Sequence, residues 1–143
     1  MPKTSADDRR RLGESLGVYV ADTRSAIARL ERGLPIRALD RLSQAMDMPC
    51  ARLAEVARIA PRTLARRRKE GRLQPVESER VFRLGALFDR AVDVLGEVDA
   101  ARRWFRTPLK ALDGQPPLDF ARSEVGAREV EDLLGRLEHG VFS

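Results

Sequence analysis

The chain has 143 residues, 43% of them hydrophobic and 34% charged, with a formal net charge of +5 and a single cysteine. That length suits one moderate domain or two small ones, and it is enough to bury a core without disulfide staples. Cys50 has no internal partner, which fits a reducing cytoplasm; no apolar run approaches the ~20 residues of a membrane helix, and the opening residues lack the apolar stretch of a secretory signal.

Residues 1–12 are polar and carry Arg9-Arg10-Arg11, a basic arm that is either a solvated tail or a DNA-contacting arm. The stretch from Gly13 to Val20, with its short Val18-Tyr19-Val20 run, is ambiguous. A helix is expected after Thr23 as N-cap, through Ile27 and Leu30 to a stop at Gly33. Pro35 opens a second, with Ile36, Leu39, Leu42 and Met46 at helical spacing, and Pro49 ends it. A short helix from Ala51 to about Arg58 follows, then one from Pro61 to Glu70 that Gly71 terminates.

Pro75 marks a linker, and Ser78 is expected to cap the longest element. Val81, Leu84, Phe88, Val92 and Leu95 recur every three or four residues in it up to Gly96. The next helix carries Val98, Ala101 and Phe105 on one face, with Trp104 adjacent, and stops before Pro108. Residues 107–122, with Gly114-Gln115-Pro116-Pro117, read as a connecting loop with a short turn at Leu118-Asp119-Phe120. Ser123 caps a last helix whose stripe is Val130, Leu133, Leu134 and Leu137.

No segment sustains period-two alternation of β-branched residues, and there is no repeat or long heptad run. The expected class is all-α: an N-terminal helix-turn-helix bundle over 13–77, then a small helical domain over 78–143. Charge follows the same division. Residues 1–77 carry a net +7 and residues 78–143 a net −2, so nucleic acid is the natural partner of the basic half.

The segment Leu53-Ala54-Glu55-Val56-Ala57-Arg58-Ile59-Ala60-Pro61-Arg62-Thr63-Leu64 has helix-turn-helix spacing. Leu53, Ala54 and Ala57 face inward, Ile59 plugs the turn and Leu64 anchors the second helix. Pro61 suits a first helical turn, where its missing N–H has no intrahelical partner. Arg62, Arg66 and Lys69 share a face at i, i+4 and i+7. Arg62 and Arg66 are base-reading candidates, because a guanidinium matches guanine O6/N7 bidentately. Arg67, Arg68, Lys69 and Arg72 are phosphate-contact candidates, and Thr63 joins the DNA-binding set beside Arg62. Two departures keep a plain solvated basic helix as the competing reading. The turn position that often holds glycine is Arg58, and a position that often packs inward is Arg67.

The closing stretch Arg136-Leu137-Glu138-His139-Gly140-Val141-Phe142-Ser143 is helix-anchored and apolar, whereas chain ends usually fray into small polar residues. This points to a protein partner. The stripe above it reads mainly as internal core, although packing on a partner stays open. The only histidine, His139, stands at a helix C-terminus and reads as a structural or partner hydrogen-bonding group. Trp104 and Phe105 read as core, and Cys50 as inert.

The second half resembles the Xre/MbcA/ParS group of antitoxins, from about residue 50 to the end. The resemblance rests on Glu77-Ser78-Glu79-Arg80-Val81-Phe82-Arg83-Leu84, Ala91-Val92, Trp104, Thr107-Pro108, Leu112, Gly114 and Pro117-Leu118. It continues in Gly126-Ala127-Arg128-Glu129-Val130 and, most specifically, in the closing Glu138-His139-Gly140-Val141-Phe142. Small departures are Ser123 in place of a frequent threonine, Arg122 in place of aspartate and Asp113 in place of glycine.

The resemblance implies an antitoxin paired with a RES-domain toxin that consumes or transfers parts of NAD⁺. Its C-terminal end would block the toxin's NAD⁺ pocket, and its N-terminal domain would bind its own operon promoter. The implied toxin-binding residues are Leu134, Glu138, His139, Gly140, Val141, Phe142 and Ser143. Their chemistry suits the task. A pyrophosphate pocket is cationic, and the tail offers Glu138, the Ser143 carboxylate, His139 and the Phe142 ring, with Gly140 free to adopt φ > 0.

The alternative is a plain dimeric transcriptional regulator whose C-terminal half dimerises or senses a ligand. An enzyme is disfavoured: there is no metal-ligand cluster and no glycine-rich phosphate loop, and one His and one Cys are the only such groups. No cofactor or metal is expected. A homodimer is expected, because helix-turn-helix proteins usually read paired half-sites.

Overall fold

A computed structural model describes residues 13–18, 20 and 22–140. The basic arm expected over 1–12, Tyr19, and the tail residues Val141, Phe142 and Ser143 lie outside the described residues. Among the described residues the fold is all-α, as expected: eight α-helices, two short 3-10 turns and two isolated β-bridges. The chain divides into two compact units between Asp89 and Arg90.

The first unit opens with a 3-10 turn at Glu14–Leu16, which resolves the ambiguous stretch: Leu16, Val18 and Val20 are buried core residues. Helix α1 spans Thr23–Arg32 and α2 spans Arg37–Met46. The cap of α1 is Asp22 rather than Thr23, its carboxylate accepting the Ser25 N–H at 2.8 Å. A carboxylate there also opposes the positive end of the helix dipole. Leu39, Leu42 and Met46 of α2 are fully buried, as their spacing predicts. Helix α3 spans Cys50–Val56, shorter than the expected element, and α4 spans Pro61–Glu70.

The loop after α1 and the loop after α4 are stitched together. Leu73 donates to the Leu34 carbonyl at 2.8 Å, Ile36 donates to the Gly71 carbonyl at 3.0 Å, and Pro35 pairs with Arg72 in an isolated bridge. Gly33 must be glycine here: its φ is 86°, and a Cβ would lie 2.2 Å from the Leu73 carbonyl oxygen.

Helix α5 spans Pro75–Leu95. Two expectations are corrected at its start. Pro75 is the first helical residue, not a linker, because Pro is well tolerated where no N–H partner exists. Ser78 is not a cap. It is fully buried, and its hydroxyl accepts the Leu34 N–H at 2.8 Å. The reach-back bond comes instead from Glu77, whose carboxylate accepts the Gln74 N–H at 2.9 Å. The boundary expected at 77/78 therefore falls inside α5, and the units part at Asp89/Arg90.

The second unit holds the end of α5, then α6 (Val98–Arg106), a 3-10 turn at Lys110–Leu112, α7 (Pro117–Phe120) and α8 (Glu124–Glu138). The expected loop over 107–122 thus contains two short helical pieces. Ala91, Ala101, Phe105, Leu112, Leu118, Ala121, Ala127, Val130, Leu133 and Leu134 are among its buried residues. Trp104 meets Phe105 edge-on, with ring centroids 5.2 Å apart. Ser123 caps α8 by accepting the Gly126 N–H at 3.0 Å. Asp113 adopts φ 57°, a left-handed conformation that glycine enters at least cost. Among the described residues, no helix is long and apolar enough to cross a membrane.

Candidate functional site

The helix-turn-helix is assembled as its spacing predicts. Leu53, Ala54, Val56, Ala57 and Ile59 are buried, and the Ile59 N–H reaches the Ala54 carbonyl at 2.8 Å across the turn. Leu64 is only half-buried. Arg58 occupies the glycine-like position with φ 59°, so the chain makes the turn despite the side chain. Left-handed backbone at a non-glycine residue costs about 1–2 kcal/mol, a strain the buried residues around it hold in place.

Helix α4 has no fully buried residue. Arg62, Arg66 and Lys69 are exposed. At 100° per residue these three fall within one narrow arc, so the helix presents a row of cations outward. Thr63 is half-buried beside them.

Arg67 and Arg72 do not join that row. Arg67 turns inward: its Nε and Nη2 donate to the two Glu77 carboxylate oxygens at 2.7 and 3.0 Å, and its Nη1 to Glu70 at 3.2 Å. The Arg67 and Glu77 side chains are only 11% and 12% exposed. Arg72 spends its Nη1 on the Gly33 carbonyl, across the loop stitch. Arg68 pairs bidentately with Asp40 of α2, at 3.0 and 3.4 Å.

These pairs mark their carboxylates. The Arg68 fork holds the Asp40 carboxyl below its ordinary value, outweighing burial, and the Cys50 thiol donates to the same carboxylate at 3.2 Å. Burial pushes the Glu77 carboxyl up, but the Arg67 fork and the Gln74 N–H prevail and leave it low. Cys50 is half-buried and occupied by this bond.

In the second unit, Leu134 and its stripe neighbour Val130 are fully buried, and Leu133 is buried with 8% of its surface exposed. A side chain packed this way has little surface to offer a partner, so we propose a core role for Leu134 in place of the expected toxin contact. Glu138 is exposed but committed. Arg90 grips both its carboxylate oxygens, at 3.1 and 2.6 Å. His139 is exposed at the C-cap of α8, its N–H bonded to the Gly135 carbonyl at 3.1 Å. Gly140 follows at φ 67°, turning the backbone out of the helix. Beside this exit lies an open groove of about 490 Å³, lined by Arg90, Glu131, Asp132, Gly135, Arg136 and His139. The lining residues carry charges of both signs. Among the described residues, no group of three or more His, Cys, Asp or Glu side chains is placed to hold a metal ion.

Residues 90–140 match a family model described as the antitoxin Xre/MbcA/ParS C-terminal toxin-binding domain, and residues 25–85 match the antitoxin Xre-like helix-turn-helix domain. The chain is 36% identical to "Antitoxin Xre" of Yersinia enterocolitica over 142 residues, which cover 98% of this chain and 96% of that protein. The chain belongs to the Xre antitoxin family. Two further family members, each also called "Antitoxin Xre", are those of Photorhabdus laumondii and Pseudomonas putida. The first is 32% identical over 80% of this chain and 78% of its own length, the second 31% identical over 45% and 40%.

This antitoxin thus joins a helix-turn-helix domain to a toxin-binding domain. The two matched regions flank the Asp89/Arg90 division without crossing it. Reading the sequence alone misses three partners that shape both faces: Asp40, Glu77 and Arg90. A signal for Glu77 was present, since Gln74-Pro75-Val76-Glu77 has the spacing of a capped helix start. No signal existed for Arg90, which lies 48 residues from Glu138.

Proposed function

We propose that this antitoxin neutralises a RES-domain, NAD⁺-consuming toxin by inserting the end of its C-terminal helix into the toxin's active site, and that it binds its own operon promoter as a homodimer. The observation that carries the first part is the exit of α8. His139 stands exposed on a groove with charged lining residues, and Gly140 ends the helix in left-handed backbone. The closing Glu138-His139-Gly140-Val141-Phe142 supports the RES assignment through its resemblance to antitoxins of that kind. Glu138 is held by Arg90 at the base of this exit, so His139, Phe142 and the Ser143 carboxylate carry the insertion. The exposed row Arg62, Arg66 and Lys69, with Thr63 at its head, supports promoter contact.

The deciding experiment removes residues 140–143 and measures rescue of cells expressing the toxin encoded beside this chain, together with promoter affinity. Loss of rescue with intact promoter binding is the expected result. Full rescue by the shortened chain would refute insertion, and it would favour a regulator whose C-terminal half serves another purpose.

A further inference from the structure

Helix α4 poses a physical problem. A helix that reads DNA needs a fixed pose, yet α4 buries no side chain fully, and half-buried Leu64 is its main apolar anchor. Hydrophobic packing normally supplies most of a short helix's stability. Two neighbouring arginines take up the role here. On the helical wheel Arg67 and Arg68 lie on opposite flanks of the inward side, away from the arc of Arg62, Arg66 and Lys69.

Arg67 forks onto Glu77 of α5, and Arg68 forks onto Asp40 of α2. Both acceptors are themselves fixed: Glu77 by the Gln74 N–H, Asp40 by the Cys50 thiol. Bidentate guanidinium–carboxylate pairs fix angle as well as distance.

We propose that Arg67 and Arg68 are positioning residues that hold α4 in a two-sided clamp through Glu77 and Asp40. The DNA-contacting charge of this helix is then confined to Arg62, Arg66 and Lys69. The proposal rests on the reading of the first domain as promoter-binding.

The test uses the full chain and the promoter of its own operon, with affinity measured across a salt series. Arg66→Ala removes a DNA contact and should flatten the log K against log salt slope by up to ~0.9 if that contact is to phosphate, and weaken binding in either case. Arg67→Met and Arg68→Met should weaken binding by roughly 10–100-fold, the loss expected when α4 shifts enough to misalign one bidentate base contact, with the slope unchanged.

Glu77→Gln and Asp40→Asn should also weaken binding. A pure charge effect predicts the reverse, because each removes a negative charge from a DNA-binding domain. The exchanged pair Arg67→Glu with Glu77→Arg should recover most of the lost affinity, although α4 itself has lost a cation. The Asp40–Arg68 pair is 43% and 41% exposed, so its variants should stay folded and report on the clamp if the more buried pair does not tolerate change.

A flattened slope in Arg67→Met or Arg68→Met, or tighter binding in Asp40→Asn, would overturn the clamp. Unchanged affinity and slope in Arg66→Ala would instead overturn the assignment of DNA contact to this face.

Discussion

Leu134 separates a contact from a core residue most cleanly. Its spacing on the last helix allowed either role, and the fold buries it completely. Leu134→Ala removes three carbon groups, worth about 2.4 kcal/mol at ~0.8 kcal/mol each. The unfilled cavity raises the cost toward 3–4 kcal/mol, inside the roughly 2–5 kcal/mol range of such truncations. In a small unit each kcal/mol moves the melting midpoint by about 4–8 °C, so a drop of ~12 °C or more is expected. The chain's only tryptophan, Trp104, belongs to the same unit. Its fluorescence in a thermal or urea series therefore follows that unit directly. Toxin affinity measured well below the lowered midpoint should stay near that of the natural sequence. A Leu134→Ala protein that melts normally yet no longer binds toxin would refute the burial argument and return Leu134 to the interface.

Two glycines of α8 should respond oppositely to alanine. A Cβ on Gly126 would lie 1.8 Å from the Phe120 carbonyl oxygen, so Gly126→Ala must displace backbone and should cost about 1–3 kcal/mol or more. Gly135 has nothing within 4 Å of such a Cβ, and Gly135→Ala should stabilise by up to about 1 kcal/mol, checked by the same Trp104 melts. Equal losses at both positions would contradict the packing described.

The first domain should show acid sensitivity. Asp40 and Glu77 titrate below their ordinary values of 3.8 and 4.5 when folded. Their contribution is therefore complete above those values and is lost as pH falls through the lower folded ones. Stability of the first domain should be flat from neutral pH to about 5 with respect to these groups, and should then decline. Urea midpoints compared with an Asp40→Asn/Glu77→Gln variant check this, since the variant should lack that part of the decline.

Much of the architecture was legible in the residues. Pro61 and Gly71 bracket α4, Ser123 caps α8, and the stripes of α2 and α8 announce their buried faces, because these signals are local or periodic. The all-α class, the helix-turn-helix spacing and the outward row of Arg62, Arg66 and Lys69 follow from the same short-range rules. The closing Glu138-His139-Gly140-Val141-Phe142 pointed to the antitoxin family through resemblance.

Other assignments were decided only by tertiary structure. A run of four consecutive cations on α4 cannot say which of them face water. Glu77 and Asp40, distant in sequence, turned Arg67 and Arg68 from surface charges into ties between helices. Ser78 has the chemistry of a cap, but the unpaired Leu34 N–H from another loop claimed its hydroxyl inside the core. Glu138 looked like a free anion until Arg90 was brought beside it. In each case a side chain's chemistry was plain from its type, while its use depended on which distant polar group was left needing a partner once the core had closed.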